Sequence, residues 1–103
     1  MAYINITKAN LDELLANTNK PILLDFWAPW CGPCQQIAPI VEQIGEEHND
    51  IIVGKVNVDE EMELAQRFRV MSIPTLVVLN GREVTAKAVG FRSRAEILML
   101  LNK

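Results

Sequence analysis

The chain has 103 residues, 50% of them hydrophobic, which suits a single domain over residues 1–103 with a substantial core and leaves no room for a second. Its net charge of -3 is spread without an acidic or basic block, which argues against binding to nucleic acid or to an anionic membrane surface. No stretch approaches the roughly 18 apolar residues of a membrane span, and the N-terminus lacks the features of an export signal, so a cytoplasmic protein is expected.

The first half of the chain predicts two strand–helix pairs. A short strand at Tyr3–Ile6 precedes a helix that Thr7 can cap. A second strand, 22–28, is apolar on both faces except at Asp25, which is typical of a central buried strand. The helix that follows it extends to about His48. Apolar residues recur at helical spacing in both helices: Leu11, Leu14 and Leu15 in the first, Ile37, Ile40, Val41 and Ile44 in the second.

The next segment continues the alternation. Ile51–Val58 predicts another buried strand, and Asp59 is expected to cap a third helix that ends near Arg69. Strands that alternate with helices in this way pair in parallel.

The last third of the chain predicts a hairpin and a final helix. Strands at 75–79 and 84–89 flank Asn80-Gly81, one of the stronger short signals for an antiparallel turn. A helix over Ser93–Leu101 then covers the sheet. The expected fold is α/β, with a mixed, twisted sheet of about five strands flanked by about four helices.

Both cysteines lie in Trp30-Cys31-Gly32-Pro33-Cys34, where a strand passes into a helix. A disulfide across two residues adds little stability, and structural disulfides are rare in a reducing compartment, so a purely structural pair is disfavoured. A zinc site normally needs four ligands, and the chain adds only His48 at the far end of the same helix, so no metal site is expected. Redox chemistry is the favoured function.

The start of the helix is a favourable position for a reactive cysteine. A helix N-terminus offers unpaired N–H groups and the positive end of the dipole, which stabilise a thiolate at Cys31 and make it the nucleophile. Cys34 lies one turn further in, where it is expected to be more buried. It can attack the mixed disulfide between Cys31 and a substrate, which leaves a Cys31–Cys34 disulfide. The exchange needs no bound cofactor.

The ten residues 25–34, followed by Ile73-Pro74-Thr75 and Gly90, closely resemble the thioredoxin family over nearly the whole chain. The resemblance implies the thioredoxin fold and a protein that reduces disulfides in other proteins. Gly32-Pro33 resembles the reducing members of the superfamily, and these two residues would tune the reactivity of the cysteines. By the same resemblance the electrons come from a thioredoxin reductase, an NADPH-dependent flavoprotein. We also expect a monomer.

Two charged residues in predicted strands have competing interpretations. Asp25 is either a solvated aspartate or, as the resemblance implies, a buried carboxyl with a raised pKa that exchanges a proton with Cys34 through water. Lys55 is either a lysine that reaches out to water or, as the resemblance implies, a charge beside Asp25 that tunes it.

The substrate surface is predicted only through the resemblance. Pro74 by itself would be a trans proline at the start of a strand, whereas the resemblance implies a cis bond that faces the cysteines. The Ile73 backbone would then pair with an extended substrate segment. A shallow apolar surface around Cys31 would then be formed by Trp30, Ile73, Pro74 and Gly90. The alternative is that the aromatic and isoleucine side chains belong to the core, as most such residues do. Trp27 is expected to lie in the core.

Some features depart from the family pattern or leave alternatives open. Phe91 stands where many thioredoxins have a small residue, and Ser72 where others have a glycine. Each could reshape the rim of the substrate groove. Phe91 could instead pack against the final helix. A non-catalytic assembly subunit of the same fold is the alternative function. A net oxidant or isomerase is disfavoured by Gly32-Pro33 and by the missing export signal.

Overall fold

A five-stranded sheet with strand order β1-β3-β2-β4-β5 organises the structure, a computed structural model that describes residues 3–103. The strands are β1 Ile4–Asn5, β2 Ile22–Trp27, β3 Ile52–Asn57, β4 Thr75–Asn80 and β5 Glu83–Val89. The helices are α1 Lys8–Asn17, α2 Gly32–Glu47, α3 Met62–Arg67 and α4 Arg94–Leu100. This arrangement confirms the predicted mixed sheet with four helices.

Strand β2 lies at the centre of the sheet because its side chains are apolar on both faces. It pairs in parallel with β3, which in turn pairs in parallel with β1. On its other side β2 pairs antiparallel with β4, and β4 forms the predicted hairpin with β5. The parallel pairs place the carboxyl ends of β2 and β3 at the same edge of the sheet, which is where α2 begins.

Alternating side chains of β2 supply two separate cores. Leu23 packs with residues of α2 and α4 on one face, and Leu24 and Phe26 pack with residues of α1 and α3 on the other. Because side chains along a strand alternate between faces, Asp25 lies on the same face as Leu23, beneath α2. Within residues 3–103 no helix is both long and apolar enough to cross a membrane.

The predicted cap at Thr7 is confirmed, and Ser93 caps α4 in the same way. Thr7 and Ser93 each form a reciprocal capping box, which satisfies the first turns of α1 and α4. The prediction that Asp59 caps the third helix is wrong. Helix α3 begins at Met62 after Glu61, which makes no side-chain cap. The chain first turns, with the Glu61 N–H bonded to the Asn57 carbonyl at 2.9 Å, so Asp59 lies outside the helix.

In the sequence of β5, Glu83, Thr85 and Lys87 alternate with Val84, Ala86 and Ala88, which predicts an edge strand with one face in water. The observed strand is less regular. Its register against β4 shifts between Val78 and Leu79, which leaves one residue of β5 unpaired. Glu83 and Lys87 face water as expected, but the shift also leaves Val84 46% exposed. A bulge of this kind depends on the pairing of two strands, so alternation within one strand does not reveal it.

Gly54 on β3 leaves the space into which Ile6 packs. A Cβ atom at Gly54 would lie 2.6 Å from Ile6 Cγ1 and 3.1 Å from Leu24 Cδ2. Ile6 is itself only 2% exposed and has nowhere to move. We expect Gly54→Ala to lower the free energy of unfolding by about 1–3 kcal/mol in urea denaturation, the usual cost of overpacking.

A double variant distinguishes this clash from an effect on the unfolded chain. Ile6→Ala removes the nearest atoms that the new methyl group would meet and leaves Leu24 Cδ2 at 3.1 Å. Gly54→Ala should therefore be much less destabilising in an Ile6→Ala background than in the parent. Equal costs in the two backgrounds would contradict the packing explanation.

Candidate active site

The two cysteines lie where β2 passes into α2, as the sequence predicts. Cys31 is the N-cap of α2, and its Sγ accepts a hydrogen bond from the backbone N–H of Cys34 at 3.2 Å. Its own N–H is bonded to the Ala28 carbonyl at 3.2 Å, which closes the turn after β2. The sulfur of Cys31 is thereby held against the positive end of a 16-residue helix.

Cys31 and Cys34 form a disulfide with their Cα atoms 5.2 Å apart. Cys31 is 5% exposed and Cys34 is 2% exposed, so the expected difference in burial is small in this disulfide form. Both pack against Ala28, with Trp27, Val58 and Ile73 around them. Pro33 occupies the first turn of α2, where a missing N–H removes no helical hydrogen bond. Nothing within 4 Å would meet a Cβ at Gly32.

The indole of Trp30, the residue before Cys31, is held by a hydrogen bond to an acid. Trp30 is 69% exposed, and its Nε1 donates a hydrogen bond to Asp59 Oδ2 at 3.0 Å. Asp59 follows β3 at the edge where β2 also ends, which explains why the two side chains meet. Sequence analysis missed this partner, although parallel pairing of β2 and β3 already placed both residues at one edge.

A groove beside Trp30 contains part of the predicted substrate surface. Its volume is ≈ 380 Å³, and it is lined by Trp30, Val58, Ala65, Val70, Met71, Ser72 and Ile73. Met71 is 97% exposed at its rim, a position that sequence analysis did not identify. A larger cavity of ≈ 500 Å³ between β5 and α4 includes none of the predicted site residues, so the chemistry points to the smaller groove.

The segment Ile73-Pro74 connects this groove to the cysteines. The Ile73–Pro74 peptide bond is cis, and the Pro74 carbonyl accepts a hydrogen bond from the Gly90 N–H at 2.8 Å. Gly90 has a φ of 91°, which favours glycine there. Pro74 is buried and Gly90 half-buried, and neither lines the groove. Phe91, next to Gly90, is 46% exposed.

Asp25 is completely buried beneath α2. It lies between Lys55 on β3 and Leu76 on β4 in the sheet register. Neither carboxyl oxygen has a hydrogen-bond partner among residues 3–103. Burial raises the pKa of Asp25 to about 6, against the opposing effect of the Lys55 charge and with a smaller rise from Glu42.

Lys55 is buried and does not reach out to water on its own. Its Nζ donates a hydrogen bond to Glu42 Oε2 at 3.0 Å, and it lies over the rings of Tyr3 and Trp27 at 5.1 and 5.2 Å from their centres. Sequence analysis missed Glu42, which belongs to α2 and is far from Lys55 along the chain. The structure therefore brings together Asp25, Lys55 and an acid that no local pattern indicated.

A sequence model of the thioredoxin family, described as Thioredoxin, matches residues 2–103. The chain belongs to the thioredoxin family. It is 45% identical over 100 residues to a thioredoxin of Bacillus subtilis, covering 95% of this chain and 96% of that protein. It is 40% identical over 102 residues to a thioredoxin of Mycobacterium tuberculosis, covering 98% of this chain and 88% of that protein.

A third relative is much longer than this chain. The bifunctional thioredoxin reductase/thioredoxin of Mycobacterium leprae is 41% identical over 96 residues, which cover 92% of this chain and 21% of that protein. Family membership and the Cys31–Cys34 pair together make this thioredoxin a dithiol–disulfide oxidoreductase that acts as a protein-disulfide reductase. The predicted family, fold and activity are confirmed.

The burial of Asp25 has a measurable consequence for stability. Its pKa is raised in the folded protein from an ordinary 3.8 to about 6, so ionisation of this group opposes folding. The penalty is absent below pH 3.8, grows between pH 3.8 and 6, and is complete above pH 6. At about 1.4 kcal/mol for each pH unit between the two pKa values, it amounts to about 3 kcal/mol.

We expect Asp25→Asn to increase the free energy of unfolding at pH 8 by about 2.5 kcal/mol more than it does at pH 4, where part of the penalty is already present. Comparing the two pH values removes any cost of burying the amide, which is the same at both. Urea denaturation of the disulfide form gives the two differences. A gain that does not change with pH would contradict a raised pKa of Asp25.

Proposed function

We propose that Cys31 is the attacking nucleophile and Cys34 the resolving thiol of the exchange. The Cys31 thiolate attacks one sulfur of a protein disulfide, and the other sulfur leaves as a thiolate that takes up a proton. Cys34, once deprotonated, attacks the Cys31 sulfur of the mixed disulfide and releases the second substrate thiolate. Two electrons pass to the substrate, and the Cys31–Cys34 disulfide remains. The observation that carries this assignment is the Cys31 sulfur at the N-terminus of α2, bonded to the Cys34 N–H.

Asp25 is the acceptor of the Cys34 proton in this scheme, through water. Asp25 lies beneath α2, the helix that carries Cys34, and each of the two residues is at most 2% exposed. A carboxylate with a pKa of about 6 is a stronger base than an ordinary aspartate and is still ionised at neutral pH. Lys55, directly opposite Asp25 in the sheet, acts on this carboxyl through its charge.

Clients dock along the groove as extended segments. Trp30 and Ile73 supply apolar contact, and the Ile73 backbone makes no hydrogen bond within residues 3–103, so it can pair with a client strand. Pro74 and Gly90 contribute by holding this segment in place rather than by lining the groove.

A thioredoxin reductase, a flavoprotein that draws electrons from NADPH, would return the disulfide to the dithiol. The M. leprae relative supports this partner because its name joins the two functions in one chain. The protein itself would act as a monomer in the cytoplasm. It would need no bound cofactor, because the two thiols supply both electrons when they form the disulfide.

The proton role of Asp25 separates the two steps of the exchange. We expect Asp25→Asn to leave the first attack nearly unchanged and to slow resolution of the mixed disulfide by about 10²-fold at pH 7, the lower end of general-base contributions. Single-turnover reactions with a disulfide peptide, quenched with acid and resolved by mass, measure both steps. Asp12→Asn, the same charge change at an exposed position of α1, is the matched control. Resolution at the parent rate in Asp25→Asn would exclude the proton role.

A further inference from the structure

The Lys55 ammonium lies beside a carboxyl group that it does not bind. Asp25 and Lys55 are directly opposite each other on adjacent parallel strands, which are about 4.8 Å apart in a sheet. Two opposite charges at that separation in a buried site would be expected to pair. Lys55 instead donates its hydrogen bond to Glu42 Oε2, and both oxygens of Asp25 are unpartnered among residues 3–103.

Glu42 holds the ammonium from the helix side. The Lys55 side chain is 9% exposed and that of Glu42 is 36% exposed, so the ion pair spans the boundary between the buried site and water. The rings of Tyr3 and Trp27 contact the same ammonium and stabilise it at this boundary. The Lys55 chain is therefore anchored at its tip, away from Asp25.

We propose that Glu42 is a positioning residue of the exchange, which binds the Lys55 ammonium and so keeps Asp25 unpaired as the base for Cys34. This inference rests on the proposed proton role of Asp25. An Asp25–Lys55 ion pair would stabilise the Asp25 carboxylate and weaken it as a base. A Lys55 ammonium bound to Glu42 instead offsets only part of the cost of burying the Asp25 charge.

Few charged groups act on Asp25. Lys55 faces it from β3, Glu42 acts on it from α2, and β4 contributes the apolar Leu76. Loss of the Glu42 charge removes the ion-pair partner of Lys55 and leaves its ammonium free to interact with Asp25, directly opposite in the sheet. Both the lost repulsion and the new attraction lower the pKa of Asp25.

The first test is a titration of the Asp25 carboxyl by ¹³C NMR in the disulfide form, in which the cysteines do not titrate. In Glu42→Gln we expect the Asp25 midpoint to fall by about 1 pH unit, the lower end of the effect of an opposite charge at contact. Glu46→Gln makes the same charge change one turn along α2 at an exposed position and should leave the midpoint unchanged. An equal midpoint in parent, Glu42→Gln and Glu46→Gln would overturn the proposal.

Two more variants show whether Glu42 acts through Lys55. In a Lys55→Met background the Glu42→Gln substitution should move the Asp25 midpoint much less than in the parent. A full shift there would mean that Lys55 is not involved and would overturn the proposal. Glu42→Asp retains the charge on a shorter side chain, so it should give an intermediate midpoint and serves if Glu42→Gln does not fold.

The pH profile of resolution connects the titration to the reaction. In Glu42→Gln the acid limb of the single-turnover resolution rate should move to lower pH together with the Asp25 midpoint, and the rate at pH 8 should fall. If Asp25→Asn slows resolution but Glu42→Gln leaves the midpoint unmoved, Glu42 has no positioning role and the proton role remains. If the midpoint moves while the limb does not, the proton role of Asp25 is wrong, and the positioning role in catalysis is lost with it.

Discussion

The start of α2 immediately after the central strand is the constraint on which the site depends. It places the Cys31 sulfur at the N-terminus of a long helix, where the Cys34 N–H bonds to it. That interaction stabilises a negative charge on the sulfur. It also places Cys34 one turn further along the helix, close enough to Cys31 for a disulfide. The proposed order of attack and resolution rests on the position of Cys31 at the helix N-terminus.

The second constraint is a buried acid that opposes folding. Asp25 occupies the middle of a strand whose other side chains make up the core, and the cost of ionising it is of the order of 3 kcal/mol. The net free energy of unfolding of a typical domain is only a few times larger than this cost. Lys55 and Glu42 set how strong a base it is, since one charge lowers its pKa and the other raises it. The side chain whose ionisation lowers stability is thus also the proposed base for Cys34.

Sequence patterns predicted the elements well and the contacts between elements poorly. Periodicity and turn signals located the five strands and four helices, because core-facing residues must repeat with the period of each element. Asp59 and Glu42 were not recognised, since their partners Trp30 and Lys55 are distant along the chain and the meeting depends on the finished fold. The predicted cap at Asp59 is wrong because a turn closed between Asn57 and Glu61 delays the start of α3 until Met62. Local propensity does not contain that information.

The most direct test of the central claim, that this pair donates electrons to other disulfides, is its equilibrium with glutathione. The protein is equilibrated in buffers of defined ratios of reduced to oxidised glutathione, and alkylation of free thiols gives the oxidised fraction of Cys31 and Cys34. We predict a reduction potential well below that of glutathione, so the pair is mostly disulfide even in a large excess of reduced glutathione. A pair that stays mostly dithiol in those buffers would have a potential above that of glutathione and would contradict the direction of electron flow described here.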